Sequence, residues 1–545
     1  MKASEAVGRT LARLGVDHVF GVVGSGNFHV TNALVSAGAR FVAARHENGA
    51  ATAADAFSRL TGRPAALTLH QGPGLTNALT GITEAAKSRT PLLVLAADTP
   101  AGQTTSNFWI DQAAAVTAVG AEVERLHTAE TACADAARAY HRCVSERRTV
   151  VLQMPLDAQD GDCEWTDTVP ADVGACHPGP SLAAVEELAN VMSGARRPVL
   201  LAGRGALDAR AELERLAAAT GSLLTTSGVA RGLFAGNSWY LDTMGGFATP
   251  VAADLVQGAD VVVAFGASLN RWTTRNGTLL PPGTTVAHVD REPEAFGRHR
   301  SVDLCVVGDV AAVAAAVTQS LGHYEPATGY RSDDVARRLR REGRWRDVPF
   351  EDTSDSERID PRTLTIALDD ILPAQRVVVP DGGNFNGYPA MFLEVPDHRG
   401  YCLPLAFQSI GLALPGAVGA ALARPDRTAV AGVGDGGFMM SLAELDTAVR
   451  LRLPLLVLVY NDDAYGAEVH HFGPEGADLT TVEFPDTDIA AIARGFGCEA
   501  VTVRGLDDLG AVADWITGAR EGPLVVDAKI TSFPSWVLLH TFAGE

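Results

Sequence analysis

Two aspartates in the sequence could together hold a metal-bound diphosphate. Asp435 lies in the Gly-Asp-Gly-Gly run at 434–437, and Asp462 follows it by 27 positions, after the apolar run Leu455–Tyr460. We expect both carboxylates at the carboxyl ends of neighbouring parallel strands, where open α/β sheets bind ligands. Mg²⁺ prefers such oxygen ligands, and a helix starting near Ser441 would direct its amino terminus towards the anion. A glycine-rich turn alone would be weak evidence of a binding site. The prediction of a magnesium–diphosphate site therefore rests on Asp435 and Asp462 together.

Three further residues have the chemistry of proton transfer or substrate binding. His70 precedes a Gly-Pro-Gly turn, and Ser25 lies in the glycine-rich loop of FGVVGSGN. Histidine is the natural proton shuttle near neutral pH, although a structural histidine and a turn serine are the alternatives. Glu47 begins an Ala-rich helical stretch, where a carboxylate could also simply stabilise the first turn through the helix dipole.

The elements that position these residues are short apolar runs, which alternate with Ala-rich helical stretches. Continuous apolar strands separated by helices indicate parallel sheets that are covered on both faces, so the fold class is α/β. The predicted strands are Pro64–Leu69, Leu92–Ala97, Thr149–Met154, Pro198–Ala202, Val261–Phe265, Arg376–Val379, Thr428–Val433, Leu455–Tyr460 and Leu524–Ala528.

Two polar segments divide the chain into three domains. Asp157–Pro180 has the composition of a linker, and Tyr324–Asp360 is charged, poor in strand signals and able to form one exposed helix. The predicted domains are therefore 1–160, 180–325 and 355–545, each with a doubly wound parallel sheet.

Composition excludes some classes of function. The net charge of −21 argues against a nucleic-acid or anionic-membrane partner, because phosphate-rich surfaces would repel the protein. Seven cysteines form no CxxC pair, which favours reduced thiols. The amino terminus lacks the apolar core of a signal peptide, and no apolar run approaches the ~18 residues of a membrane span. These features predict a cytoplasmic protein.

Taken together, these segments resemble the thiamine-diphosphate (ThDP) enzyme superfamily, which includes acetolactate synthase, benzoylformate decarboxylase and pyruvate decarboxylase. The stretch Arg45–Gly62 is similar to the family's Arg-His-Glu signature, and the Gly-Pro-Gly segment after His70 and the run AFQSIGLALPGAVGA also match. The family's Gly-Asp-Gly is followed after some two dozen residues by Asn-Asn. Here Asp462 stands in place of the second Asn, which adds a negative charge to the metal site.

The resemblance implies a pyrimidine-binding domain, a central domain and a pyrophosphate-binding domain. It implies Mg²⁺ ligands at Asp435, Asp462 and the backbone carbonyl of Ala464. Glu47 would activate the cofactor by holding a proton against its pyrimidine ring, which requires a carboxyl group with a raised pKa. The cofactor-binding residues implied are Glu47, Asn384 at the terminal phosphate, Gln408 at the pyrimidine amino group, Ile410 between the two rings, Gly434, Asp435, Gly436, Gly437, Asp462, Ala464 and Gly466. For Ile410, simple core packing is the alternative.

The resemblance also implies how the protein assembles. In this family the activating glutamate comes from one subunit and the metal site from another. We therefore expect a homodimer or homotetramer with active sites between subunits.

The predicted reaction is decarboxylation of a 2-oxo acid, with or without transfer to an acceptor. His70 and Ser25 match positions that benzoylformate decarboxylase uses, and Glu468 matches a pocket glutamate of pyruvate-type decarboxylases or else is a solvated helix residue. Asn107, Phe108 and Trp109 replace the Phe-Gln-Glu of acetolactate synthases, which predicts a larger and more apolar pocket.

Several alternatives remain at this point. An acetolactate-synthase-like transferase or an acyloin lyase would use the same cofactor, with an acyloin as the lyase's substrate. FAD is a second candidate cofactor. The sequence does not favour it, since only the three residues Gly203-Arg204-Gly205 match a flavin-binding pattern. A nicotinamide or flavin oxidoreductase would need a third glycine after GRGALD. A non-catalytic relative is disfavoured because Glu47 and both acids are present.

Overall fold

Every apolar run predicted as a strand forms one in the computed structural model, which describes residues 1–165, 177–322 and 329–537. Parts of both predicted linkers, at 166–176 and 323–328, lie outside the described residues, as does 538–545. The strands form three sheets, and every strand pair is parallel. The α/β class with three parallel-sheet domains is therefore confirmed.

The amino-terminal sheet has six strands in the order β2-β1-β3-β4-β6-β5. Its strands are β1 His18–Gly21, β2 Arg40–Ala43, β3 Ala65–Leu69, β4 Leu92–Asp98, β5 Glu122–Arg125 and β6 Thr149–Pro155. The helices around it are α1 Ala3–Arg13, α2 Phe28–Ser36, α3 Glu47–Thr61, α4 Pro73–Lys87, α5 Gln112–Ala118, α6 Ala132–Ser145 and α7 Leu156–Asp160. The strand order reverses between β1 and β3, and ligands of open α/β sheets bind at such a reversal.

The central sheet also has six strands, in the order β12-β11-β10-β7-β8-β9. Its strands are β7 Pro198–Ala202, β8 Leu223–Thr226, β9 Tyr240–Thr243, β10 Val261–Phe265, β11 Thr285–Asp290 and β12 Leu304–Val307. The helices are α8 Leu182–Ser193, α9 Arg210–Thr220, α10 Pro250–Gln257, α11 Arg271–Thr274 and α12 Val310–Leu321. The charged segment that follows contains the expected helix, α13 Asp333–Glu342.

The carboxyl-terminal sheet has five strands in the order β13-β14-β15-β17-β16. Its strands are β13 Arg376–Pro380, β14 Thr428–Gly434, β15 Leu455–Asn461, β16 Glu499–Val503 and β17 Leu524–Lys529. The helices are α14 Pro361–Ile371, α15 Gly387–Phe392, α16 Ala413–Ala423, α17 Asp435–Ser441, α18 Glu444–Arg450, α19 Gly466–Phe472, α20 Ile489–Gly495 and α21 Gly510–Thr517.

One predicted helix start is wrong. The helix expected to begin near Ser441 begins at Asp435, directly after β14, and Ser441 is the last residue of α17. The two glycines after Asp435 continue as helix, because the rest of the structure fixes their backbone in spite of their low helix propensity. Asp435 therefore lies at the first turn of α17.

The first and third domains share one hydrophobic core. Helix α3 packs on α16, and residues of both helices belong to a single buried cluster with β3, β14 and β15. The helices approach so closely that a Cβ at Gly419 would lie 2.1 Å from the carbonyl oxygen of Ala53. Among the described residues, no helix is both long and apolar enough to cross a membrane.

Candidate active site

Asp435 and Asp462 lie at the carboxyl ends of two adjacent strands. Strands β14 and β15 pair in parallel with Gly434 opposite Tyr460, so the residues that follow them lie at the same sheet edge. Burial, and then the charge of Asp462, raises the pKa of Asp435 to about 7. Burial likewise raises the pKa of Asp462 to about 6. No basic side chain makes an ion pair with either acid in the described part of the chain, so a cation placed here would stabilise both ionised carboxylates.

Glycines allow the surrounding groups to pack tightly around these acids. A Cβ at Gly466 would lie 2.3 Å from an Oδ2 of Asp462, and a Cβ at Gly436 would lie 2.6 Å from the ring of Tyr465. At Gly434 and Gly437, a Cβ would lie 2.8 Å from Phe385 and 2.7 Å from the Asp381 carboxylate, respectively. A side chain at any of these four predicted glycines would therefore displace the groups that pack around the two acids.

The neighbouring Asp463 is neutralised separately. Its carboxylate accepts a hydrogen bond of 2.6 Å from Arg358, and the buried Lys529 lies 4.0 Å away. The two acids of the Asn461-Asp462-Asp463 sequence therefore differ, because Asp463 has cationic partners and Asp462 has none in ion-pair range among the described residues.

The residues present fit a shared magnesium site rather than an all-protein one. Between residues 1–165, 177–322 and 329–537, no group of three or more His, Cys, Asp or Glu side chains is arranged to hold a metal ion. Two carboxylates with a carbonyl of Ala464, which lies between Asp462 and α19, leave positions for diphosphate and water oxygens. Mg²⁺ is usually bound in this way.

Asp381 shapes the loop that carries Gln408 and Ile410, and sequence reasoning did not single it out. The fully buried Asp381 carboxylate accepts hydrogen bonds from the N–H groups of Gly382 (2.9 Å), Gly411 (2.8 Å) and Leu412 (3.3 Å). Burial raises its pKa to about 6. The loop contains two left-handed residues, of which Gln408 (φ 63°) is strained by its side chain and Gly411 (φ 83°) is not.

Ile410 lies at the edge of the loop rather than in the core. It is half-buried, belongs to none of the hydrophobic core clusters of the described residues, and a Cβ at Gly382 would lie 3.1 Å from its Cγ2. Gln408 is exposed, and its side chain donates to the carbonyl of Leu405. These positions leave both residues available to a ligand.

Asn384 uses its side chain for another purpose. Its amide donates to the carbonyl of Phe533 (2.8 Å) and accepts from the N–H of Ser535 (2.9 Å), so it anchors the carboxyl-terminal segment. Because both polar atoms of this side chain are already bonded, Asn384 would bind a phosphate through its backbone. No sequence signal predicts this contact, since the partners are about 150 positions apart.

Glu47, His70 and Ser25 form a second group, at the reversal point of the amino-terminal sheet. They follow the carboxyl ends of β2, β3 and β1, respectively. Glu47 begins α3 and accepts a hydrogen bond of 3.1 Å from Asn77, a contact that the sequence did not predict. Gly74 lies between the side chains of His70 and Glu47, and a Cβ there would be 3.2 Å from His70 and 3.8 Å from the Glu47 carboxylate.

The orientation of His70 is fixed by the Ser25 loop. The N–H of Gly26 donates to Nδ1 of His70 (3.3 Å), and the ring packs edge-on against Phe108. In this arrangement a neutral His70 carries its proton on Nε2. Burial lowers the pKa of His70, and the nearby Glu47 opposes this effect. Ser25 itself is exposed.

The two groups make no direct polar contact with each other among the described residues. No hydrogen bond or ion pair of the described residues joins Ser25, Glu47 or His70 to the acid pair, the Ile410 loop or Glu468. Instead, Asn384, Gln408 and the exposed Glu468 line a cleft of about 1560 Å³ that reaches Trp272 and the central domain. Arg204 and Gly205, from the short run that resembles a flavin-binding pattern, also line this cleft.

Large apolar side chains are exposed beside both groups. Phe108 and Trp109 are 43% and 45% exposed near His70, and Met440 is 63% exposed near Gly411. Exposed apolar patches of this kind mark interaction surfaces.

Models of one protein family match all three domains. The N-terminal thiamine pyrophosphate (TPP, a synonym of ThDP) binding domain matches residues 1–117, the central domain of these enzymes matches 185–317, and the C-terminal TPP binding domain matches 381–528.

Curated relatives are similar over nearly the whole chain. A sulfoacetaldehyde acetyltransferase of Alcaligenes xylosoxydans xylosoxydans is 27% identical, covering 94% of this chain and 89% of its own. The acetolactate synthase isozyme 2 large subunit of Escherichia coli is 28% identical, covering 100% and 98%. A probable 2-ketoarginine decarboxylase of Pseudomonas aeruginosa is 30% identical, covering 93% and 90%.

A solved structure has the same fold. A putative thiamin diphosphate-dependent enzyme from Mycobacterium smegmatis superposes with a TM-score of 0.78 at 22% identity, covering 97% of this chain and 100% of that one. The three domain matches and the curated relatives show that the chain belongs to the thiamine-diphosphate-dependent enzyme family.

Proposed function

We propose that the protein is a ThDP- and Mg²⁺-dependent enzyme that decarboxylates a 2-oxo acid and either releases the aldehyde or joins it to an acceptor. The observation that carries this proposal is the half-buried pair Asp435 and Asp462, which lies among closely packed glycines and makes no ion pair with a basic side chain of the described residues. When bound, the cofactor would supply a nucleophilic carbon and an electron sink for the loss of carbon dioxide.

The residues have separate roles in this proposal. Asp435, Asp462 and the Ala464 carbonyl hold Mg²⁺, and the backbone of the 434–437 run approaches the diphosphate. Burial raises the pKa of both acids, and a cation bound between them would favour their ionised forms. Ile410 supports the ring system from a loop that Asp381 holds in place.

Glu47 and His70 act at the other end of the cofactor. Glu47 would share a proton with the pyrimidine ring, and Asn77 holds its carboxylate by one oxygen only, so the other oxygen stays free. Because Nδ1 of His70 accepts from Gly26, His70 would present an Nε2–H donor to a substrate oxygen, with the Ser25 hydroxyl beside it.

The proposal needs a second subunit. Glu47 and the acid pair lie in separate groups of one chain, so we propose a dimer, or a tetramer of two dimers, in which residues 1–160 of one subunit face residues 355–545 of the other. Exposed Phe108 and Met440, which lie beside the two groups, are consistent with such an interface.

Decarboxylation is favoured over acetolactate-type transfer by the pocket residues. Phe108 packs against His70 where acetolactate synthases carry polar groups, and Glu468 lines the cleft. The names of two relatives, an acetyltransferase and a synthase, support a transferase as the second candidate. FAD has no role in this proposal, because no step in it needs a redox cofactor.

A substrate panel distinguishes the candidates. Purified protein with ThDP and Mg²⁺ is incubated with pyruvate, phenylpyruvate or benzoylformate, with and without an aldehyde acceptor. Free aldehyde supports the decarboxylase, and an acyloin or acetohydroxy acid supports the carboligase or transferase. Absence of carbon dioxide release from every 2-oxo acid would contradict the proposal.

A further inference from the structure

The loop that precedes Glu47 is held by a helix of the carboxyl-terminal domain in the same chain. Glu444, the first residue of α18, accepts hydrogen bonds from the N–H groups of His46 (3.0 Å) and Arg45 (3.2 Å). The hydroxyl of Thr447 donates to its other oxygen (2.6 Å). The side chain is almost fully buried, at 3% exposure. These contacts span about 400 positions of sequence and lie immediately before Glu47.

The Glu444 carboxylate also lies against the first turn of α3. A Cβ at Gly49 would be 2.3 Å from its Oε1, so glycine is required there for the carboxylate to approach. The first N–H groups of a helix lack partners within the helix, and a negative charge near them is stabilising. The cap of α3 is His46, whose Nδ1 accepts from the N–H of Asn48 (3.1 Å), and Glu444 in turn holds the backbone of His46 from another domain.

A second set of contacts surrounds this cap at the surface. Arg45 donates to Asp446 (2.5 Å), and Arg450 donates to the carbonyl of Ala43 (2.5 Å). The Arg45 side chain is 54% exposed, and exposed ion pairs contribute about 0–1 kcal/mol each. The buried Glu444, rather than this ion pair, is therefore the group that fixes the loop.

The same segment of chain also leads to the metal site. Helix α17 begins at Asp435, and only two residues separate its end from the start of α18. In the proposed dimer, Asp435 serves one active site while Glu444 orders the helix whose Glu47 serves the other.

We propose that Glu444 is a positioning residue that sets the start of α3 and thereby the place of the Glu47 carboxylate at the cofactor. This inference rests on the proposed function of Glu47. It predicts that loss of the Glu444 contacts lowers kcat without weakening the hold on the diphosphate, because the diphosphate is bound by a different set of residues.

Two substitutions disturb the contact in different ways. Glu444→Gln removes the charge and one acceptor, and Gly49→Ala pushes the carboxylate off the helix. For both we expect kcat to fall by 10- to 100-fold, as a misplacement of about 1 Å can cause, while the affinity for ThDP with Mg²⁺ changes less than about threefold. Gly49→Ala leaves Glu444 itself intact, so a loss of kcat in both variants links the effect to the contact between Glu444 and α3.

Hydrogen exchange in the cofactor-free protein gives a readout that is independent of activity. Faster exchange of the Arg45 and His46 amides is expected in Glu444→Gln and Gly49→Ala. The matched control is Asp446→Asn, two residues along α18, which removes the exposed ion pair and should leave kcat and both amides unchanged.

The outcomes separate the two proposals. If the wild-type protein does not bind ThDP, the proposed function fails, whatever the exchange data show. If the wild type is active and both variants keep its kcat and its amide protection, Glu444 is not a positioning residue. Equal loss of ThDP affinity and kcat in both variants would also overturn it, because that pattern indicates general damage to the cofactor site.

Discussion

Asp462 distinguishes this metal site at the level of single residues, because an acid stands where the family has an asparagine. Within the part of the chain that the structure describes, its carboxylate has no cationic partner in ion-pair range, and burial raises its pKa. An additional charged ligand strengthens divalent-cation binding. We expect Asp462→Asn to weaken Mg²⁺ binding about 10-fold and to leave ThDP binding intact at saturating Mg²⁺. Isothermal titration at two Mg²⁺ concentrations measures this, and an unchanged Mg²⁺ affinity would remove Asp462 from the ligand set.

Glu47 has a role that can be tested without disturbing cofactor retention. Glu47→Gln keeps the shape of the side chain and an acceptor for Asn77, but it cannot share a proton with the pyrimidine ring. We expect it to bind ThDP normally and to lose about 10²- to 10⁴-fold in kcat, the usual contribution of a positioned acid–base group. Wild-type turnover in this variant would exclude Glu47 from the mechanism.

The acid pair also predicts how the stability of the cofactor-free protein depends on pH. Because the folded-state pKa of Asp435 is about 7, above its usual value of 3.8, the folded protein binds more protons than the unfolded chain between these values. Stability from this group is then present at low pH and is lost as pH rises towards 7. Asp435→Asn should therefore raise the Tm of the metal-free protein by a few degrees at pH 8, and have little effect near pH 4.

That comparison has an internal control. Adding Mg²⁺ and ThDP should stabilise the wild type at pH 8 and fail to stabilise Asp435→Asn. The same Tm difference between wild type and variant at both pH values would show that Asp435 does not titrate in this range.

Among single residues, sequence reasoning found the groups with recognisable motifs and missed those defined by distant contacts. Asp435 and Asp462 are identified by glycines and by the apolar runs before them. Asp381 and Glu444 were not, because their partners lie 30 and about 400 positions away. A buried carboxylate that accepts backbone N–H groups has no local sequence signature.

At the level of elements, the strands were predictable and the helix boundaries less so. Runs such as Thr428–Val433 are buried on both faces of a parallel sheet, so their apolar character is continuous. The start of α17 was predicted too late, because two glycines after Asp435 indicate a turn when only local propensity is considered. Shorter strands such as β5, with only partly buried residues, gave no comparable signal.

The loop between α15 and α16 offers a test of an element. Asp381 holds this loop through three N–H groups, and Asn at this position would retain only one good acceptor oxygen. We expect Asp381→Asn to fold, to weaken ThDP binding about 10-fold and to lower the Tm, because about 1–3 kcal/mol accompanies each buried group left unsatisfied. Fluorescence titration with ThDP measures the affinity, and an unchanged value would show that the loop keeps its shape without the carboxylate.

At the level of the whole molecule, the separation of Glu47 from the acid pair predicts complementation between variants. Glu47→Gln and Asp435→Ala are each expected to be inactive. Coexpressed, they form mixed dimers in which one site combines an intact Glu47 with an intact metal site from the other chain. Random pairing should restore about a quarter of wild-type activity, since half of the dimers would be mixed and each would hold one working site. No recovery, in dimers shown to be mixed, would place both groups in one chain.

The central claim is that the Asp435 and Asp462 pair holds a magnesium-bound ThDP. Its most direct test is calorimetric titration of the cofactor-free protein with ThDP, with Mg²⁺ present and absent, in the wild type and in Asp435→Ala. We expect saturable binding by the wild type that requires Mg²⁺, and none by the variant. Binding of equal strength in the variant, or no binding by the wild type, would contradict the claim.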